Sequence, residues 1–180
     1  SGLIEPGASL TAITSEDKSE APAIIQIYHH VLLRILQVTE KVVGSRAQNL
    51  LEEAKAQVPR KYSSFLRAYD CRSDAKQNLK LILEATGGST PKNQEMLNGF
   101  NAWILAILYK QREVFNEESM AAYLQELTNP TAAWQNFPGK SNLKGAILSS
   151  IIQTVEQFQQ EVGKGGQGKG KGILSFLKRK

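Results

Sequence analysis

One cysteine among 180 residues, Cys71, leaves no partner for an internal disulfide and no set of thiolates for a metal. That usage fits a reducing compartment. Histidine is almost as scarce, with only His29 and His30. Long apolar runs are missing: nothing approaches the roughly 18 consecutive residues needed to cross a bilayer. The start, Ser1-Gly2-Leu3-Ile4, has no basic stretch ahead of an apolar core, so it does not read as a secretory signal. It has no initiating methionine either, which points to a processed product or, preferably, to a piece of a longer protein entered through a linker at Glu5–Glu20. Alternation of apolar and polar residues, the mark of a half-buried strand, is absent. So is any repeat of about 20–50 residues.

Net positive charge is missing from most of the chain, although the whole carries +5 with a pI near 9.3. Residues 163–180 hold six bases and no acid, whereas residues 1–162 hold sixteen bases and seventeen acids. The cationic character belongs to the last eighteen residues. A basic surface spread over the whole fold is excluded. With 41% hydrophobic and 22% charged residues, the chain has the composition of a folded domain.

What is there is helical periodicity. Ile24, Tyr28, Val31, Ile35, Val38 and Val42 recur at three- and four-residue steps, and Ile25, Leu32, Leu36 and Val43 widen the stripe. So apolar a helix belongs at the centre of a bundle. Ser19 is placed to cap it, Pro22 fits its first turn and Gly44 its left-handed stop. Ser45 opens a second helix, with Gln48 in the capping-box position and Ala47, Leu50, Leu51 and Ala54 on the buried face, up to Pro59. Tyr62, Phe65, Leu66 and Tyr69 continue in a short third segment before a loop at Asp70–Ser73. Ser73 caps a helix through Leu79, Ile82 and Leu83, ended by Gly87-Gly88.

Thr90-Pro91 starts the strongest apolar face in the chain, from Met96 and Leu97 through Phe100, Trp103 and Ile104 to Ile107 and Leu108. Asn116 caps a helix carrying Met120, Tyr123, Leu124 and Leu127; Trp134, Phe137 and Pro138 fall in the connection that follows. Ser141 starts the last long helix, with Leu143, Ile147, Ile151, Val155, Phe158 and Val162 on one side and Gly163 at its end. This predicts an all-α bundle of six to seven helices over residues 21–163. A disordered, flexible linker (1–20) precedes it and a flexible Gly/Lys-rich tail (164–180) follows. Leu3, Ile4, Leu10 and Ile13 offer a way to pack part of the linker onto the body.

No residue set makes a convincing catalytic site. His29 and His30 project about 100° apart on a helix, so they do not grip one metal together. A phosphoacceptor histidine would be followed by an acid, and Val31 follows His30. Cys71 has Arg72 beside it to lower its pKa, but no base within sequence reach, so it reads as an ordinary loop cysteine. Glu52-Glu53 reads as a solvated face, and Glu117-Glu118 as a helix start that complements the dipole. Gly87-Gly88 follows a helix, whereas a phosphate-binding loop follows a strand. Residues 46–80 carry eight bases against four acids, and residues 81–130 three bases against six acids. Pairing between neighbouring helices is the simpler account of that asymmetry; a basic patch is the other. Catalytic residues, a metal and a cofactor are not expected.

The tail is the most informative stretch. Gly163–Gly172 has six glycines in ten positions and reads as a tether. Beyond it, Ile173, Leu174, Phe176 and Leu177 precede Lys178, Arg179 and Lys180. Eight residues do not hold a helix alone in water, but an interface or a groove would induce one. Four buried apolar side chains gain at most about 1.5–3 kcal/mol each, against about 1–2 kcal/mol per ordered residue. Six bases near an anionic surface, Lys164, Lys169 and Lys171 among them, add about 1 kcal/mol each. Together these suit reversible attachment to an anionic membrane or a partner groove. The alternative is nucleic-acid binding through the lysines, although only Phe176 offers a ring to stack on a base. A purely solubilising run would have no use for Ile, Leu and Phe.

The segment resembles the short amphipathic membrane-targeting tails of bacterial cell-division ATPases. In the body, Val43-Gly44-Ser45-Arg46-Ala47 with Leu50-Leu51 and Ala54, then Tyr62 with Phe65-Leu66, then Leu97-Asn98 with Leu105, resemble helical accessory domains that flank sensor and receiver modules in prokaryotic signalling proteins. The likeness spans roughly residues 24–125. It implies a cytoplasmic, non-enzymatic regulatory domain that binds protein partners, with homodimerisation through the Ile24–Val43 or Met96–Leu108 stripe as one form of that interaction.

Overall fold

Wherever apolar residues recur every three or four positions, the chain is helical. The computed structural model describes residues 20–129 and 141–165, and among these it has seven α-helices and no strand. They are α1 (Ala21–Val43), α2 (Ala47–Lys55), α3 (Arg60–Leu66), α4 (Ala75–Ala85), α5 (Asn93–Val114), α6 (Glu117–Thr128) and α7 (Ser141–Gly165). The predicted all-α bundle is the observed class. Trp134, Phe137 and Pro138 lie outside the described residues, as do Ser19 and the linker before it.

Several helix ends follow the expected chemistry. Pro22 sits in the first turn of α1, and Gly44 takes a positive φ of 65° with its N–H on the Glu40 carbonyl. Asn116 caps α6 by accepting from the Ser119 N–H at 2.7 Å. Gly87 and Gly88 adopt φ of 69° and 89°, and the Gly88 N–H closes on the Leu83 carbonyl at 2.7 Å. L-residues with a Cβ resist that conformation.

Other ends differ. Ser45 and Gln48 form no capping box, because Gly44–Arg46 is a 3-10 turn that carries helical backbone straight into α2. A cap needs an extended residue at that point. Ser73 yields to Asp74, whose extended backbone aims its carboxylate at the Gln77 N–H, 2.7 Å away. Thr90-Pro91 precedes the true start of α5, which begins at Asn93 after an extended Lys92. Helix α7 continues to Gly165, past Gly163.

The centre of the bundle is α5, not α1 as the stripe predicts. Every residue of α5 from Met96 to Tyr109 except Asn98 is buried. It packs against α1, α2, α3, α6 and α7. Helix α1 keeps a wet outer face at Gln26, Gln37, Glu40 and Lys41, so its stripe covers one side only. Both stripes offered for homodimerisation are largely consumed within the chain: Ile24, Tyr28, Val31, Ile35, Phe100, Trp103 and Ile107 are all fully buried. Each such side chain contributes roughly 1.5–3 kcal/mol by leaving water. A second copy would have to use another surface.

Three buried amides on α5 set the register. The Glu20 N–H donates to Asn93 Oδ1 at 3.2 Å, and the Tyr28 hydroxyl to Asn101 Oδ1 at 2.9 Å. Gln111 Nε2 donates to Thr39 Oγ1 at 2.8 Å. These pairs advance together along both helices, so α1 and α5 run parallel. Asn101 Nδ2 also donates to Ser150 Oγ at 3.0 Å, and the Tyr109 ring meets Phe158 at 5.1 Å between centroids. Helix α7 is therefore parallel to α5 as well. The chain returns between them through α2–α4 and then through α6, whose Glu126 pairs with Arg34 of α1. The buried Tyr123 hydroxyl on α6 lies beside Gln111, and neither it nor Gln111 Oε1 has a hydrogen-bond partner among the described residues.

Gly99 is where α3 meets α5. A Cβ there would lie 2.6 Å from Phe65 Cζ and 3.2 Å from Tyr62 Cβ. Phe65 is fully buried and edge-on to Phe100, so it has little room to yield. Gly99→Ala should cost about 1–2 kcal/mol, overpacking outweighing the gain in helix propensity. Gly145, in α7, has nothing within 4 Å of its would-be Cβ; Gly145→Ala should instead stabilise by about 0.5–1 kcal/mol. Urea denaturation of the two variants checks the opposite signs. Asn101→Ala, which removes the acceptor of the buried Tyr28 hydroxyl, should cost about 1–3 kcal/mol in the same assay.

Candidate functional site

A cluster of polar and charged side chains gathers at one flank. Helix α2 ends at Lys55, α3 ends at Leu66, and the chain from Arg67 to Ser73 crosses between them and α4 without regular structure. Asn78 of α4 holds that crossing in shape. Its Oδ1 accepts from the Asp70 N–H at 2.7 Å, and its Nδ2 donates to the Asp70 carbonyl at 2.8 Å and the Ser73 carbonyl at 3.1 Å. The result is a cleft of about 450 Å³ between α2 and the crossing. Gln48, Asn49, Glu52 and Lys55 line one side; Arg67, Asp70, Cys71 and Arg72 line the other.

Lys55 is buried at the floor. Its ammonium donates to the Tyr69 carbonyl at 2.7 Å, lies 3.2 Å from a Glu52 oxygen, and sits 4.9 Å from the centroid of the Trp103 ring. A charge taken from water needs such partners. Arg72 bonds Asp70 through its backbone N–H at 2.9 Å and its side-chain Nε at 3.2 Å. The backbone bond first, then the guanidinium, holds the Asp70 carboxyl below its usual range. Arg67 has no ion-pair partner among the described residues.

The sequence candidates for chemistry fall into place around this cleft, or away from it. Cys71 is 6% exposed, and burial pushes its thiol up to about 12 despite Lys55 and Arg72 nearby. It stays a thiol at neutral pH and is no nucleophile. His29 Nδ1 lies 2.6 Å from the Tyr69 hydroxyl behind the cleft wall; burial lowers its pKa, against the pull of Asp74. His30 lies a step further round α1, so the two histidines share no site. Glu53 faces Lys110 at 3.7 Å, and Glu117 and Glu118 stand in the first turn of α6. Among the described residues no group of three His, Cys, Asp or Glu is placed to hold a metal. An open groove of about 760 Å³ also runs along α4, past the half-buried Leu79 and Leu83.

The basic stretch 46–80 is only partly explained by pairing. An ion pair between it and residues 81–130 runs the other way, from Lys110 to Glu53. Three of its bases, Lys55, Arg67 and Arg72, meet instead at the cleft. The three-dimensional clustering has no signal in the sequence beyond the local excess of bases, because it depends on how the crossing folds back against α2.

Lys169, Lys171, Ile173, Leu174, Phe176, Leu177, Lys178, Arg179 and Lys180 lie outside the described residues. Where the tail departs is defined. Helix α7 delivers it at Gly165, at the end where the parallel helices α1 and α5 also stop. Val42 and Val114, the large hydrophobics most exposed among the described residues at 40% and 38%, sit at that same end. Each stands three residues beyond the bonded pair Thr39–Gln111. Among the described residues no helix is long and apolar enough to cross a membrane. Comparison of the chain with protein-family models, curated proteins and solved structures finds no match.

His29 supplies a pH test of this geometry. Its folded pKa is lower than the ordinary 6.5, so the unfolded chain binds more protons as the pH falls below that value. Stability should be full above about pH 6.5 and decline below it. His29→Gln should flatten that decline in denaturation curves recorded at stepped pH.

Proposed function

We propose that this chain is a non-enzymatic, cytoplasmic regulatory module that binds protein partners and attaches to an anionic membrane through Ile173–Lys180. The observation that carries the reading is the departure point of the tail. A segment with four large apolar side chains and three terminal bases leaves from the end of the bundle that carries Val42 and Val114. An interface engaged by the tail would meet those two valines next. Apolar burial and lysine attraction are each marginal alone and sufficient together. The resemblance of residues 24–125 to helical accessory domains of prokaryotic signalling proteins points to the same regulatory role.

Co-sedimentation with liposomes containing anionic lipid tests the reading. Deleting residues 166–180 should abolish binding, and neutral liposomes should bind weakly. Phe176→Ser with Leu177→Ser should cost as much as removing the lysines, and Val42→Asp with Val114→Asp should weaken binding several-fold while leaving the helical circular dichroism unchanged. Binding that survives the loss of Phe176 and Leu177 but collapses with salt would favour nucleic acid as the partner instead.

A further inference from the structure

The cleft between α2 and the Arg67–Ser73 crossing lies away from the end of the bundle where the tail departs. It opens at the level of Trp103, about 16 Å by helix rise from the Val114 end where the tail departs. Its charges are unbalanced: Lys55, Arg67 and Arg72 face Glu52 and Asp70. Both acids already have a cation, Glu52 at Lys55 and Asp70 at Arg72. The charge left over sits on Arg67, whose guanidinium has no ion-pair partner among the described residues. Opposite it, the side-chain amides of Gln48 and Asn49 make no hydrogen bond to the described residues. The Arg67 guanidinium and two unbonded side-chain amides thus line a space of about 450 Å³, within the usual size of small-molecule sites.

We propose that this cleft is a binding site for a soluble small molecule bearing an oxyanion, a phosphate ester or a carboxylate, held between the Arg67 and Arg72 guanidiniums and the amides of Gln48 and Asn49. A guanidinium fork matches two oxygens of one such group. Lys55 adds positive potential from the floor without leaving its bonds to Tyr69 and Glu52. A soluble ligand fits better than a lipid headgroup, because the opening is on the flank rather than at the tail end. Asn78 holds the backbone of the crossing that carries both arginines at Asp70 and Ser73, so that backbone needs no ordering when the ligand arrives.

Inorganic phosphate and citrate are the probes, titrated into the full chain at constant ionic strength with chloride as the reference, and read by thermal denaturation. The expected result is a saturable rise in Tm with at least one of the two. Arg67→Ala should raise the half-saturating concentration at least fivefold, and Arg67→Ala with Arg72→Ala should abolish the response. Lys76→Ala, which removes an equal charge from the exposed face of α4, should change it by less than twofold. Arg67, Arg72 and Lys76 are all exposed, so the variants keep the core intact. No saturable response to either probe would overturn the site. So would equal losses in Arg67→Ala and Lys76→Ala, since that pattern is charge screening or adsorption to the lysine tail. The outcome is independent of liposome binding, which does not involve Arg67.

Discussion

The architecture depends on a few amides that an apolar helix retains in its buried face. Asn93, Asn101 and Gln111 on α5 are each bonded to α1, at Glu20, Tyr28 and Thr39. Apolar packing alone is tolerant of sliding by a turn, because leucine and isoleucine present similar surfaces at three- and four-residue steps. A buried amide is not tolerant: moved by one turn, it would lose its partner and carry the cost of an unmet polar group. Asn101 extends the same constraint to α7 through Ser150. One helix thereby fixes the register of two others, and the placement of the tail exit relative to Val42 and Val114 follows from it.

Much of the fold was legible because helices and their stops are local. Asn116, Pro22, Gly44 and the Gly87-Gly88 pair acted where the sequence placed them, each through its own backbone preference. The misplacements were also local in kind, but decided by neighbours. Ser45 had the right hydroxyl for a cap, yet the 3-10 turn left it no free N–H groups to satisfy. Ser73 lost to Asp74 by one residue. The ranking of α1 over α5 failed because a stripe counts apolar residues on one face, whereas centrality depends on all faces. Gly99, Ala102 and Ala106 make α5 slim enough to be approached from every side, and small residues add little to an apolar count.

The cleft was not legible in this sense. Its donors come from α2 and from the crossing after α3, and only the folded chain brings Gln48 opposite Arg67. What the sequence did show was an excess of bases between residues 46 and 80. Asn78 is the residue least suggested by pattern: one polar side chain among several on a short helix, it bonds Asp70 from both ends of its amide and so shapes the wall that carries Arg72. Lys55 likewise reads as a surface lysine at the end of a helix, and in the structure it lies under the Tyr69 carbonyl and the Trp103 ring.

The parallel course of α1, α5 and α7 has an electrical consequence. In an up-and-down bundle neighbouring helix dipoles oppose one another; here the three longest helices, of 23, 22 and 25 residues, align theirs. Each leaves about half a negative charge at its C-terminal end, and all three ends lie together. Cations near that end relieve the repulsion, and the chain supplies them: Lys41 in the last turn of α1 and Arg112 in the last turn of α5. The basic tail is thus attached at the one pole of the molecule where its charge is complementary to the fold that carries it.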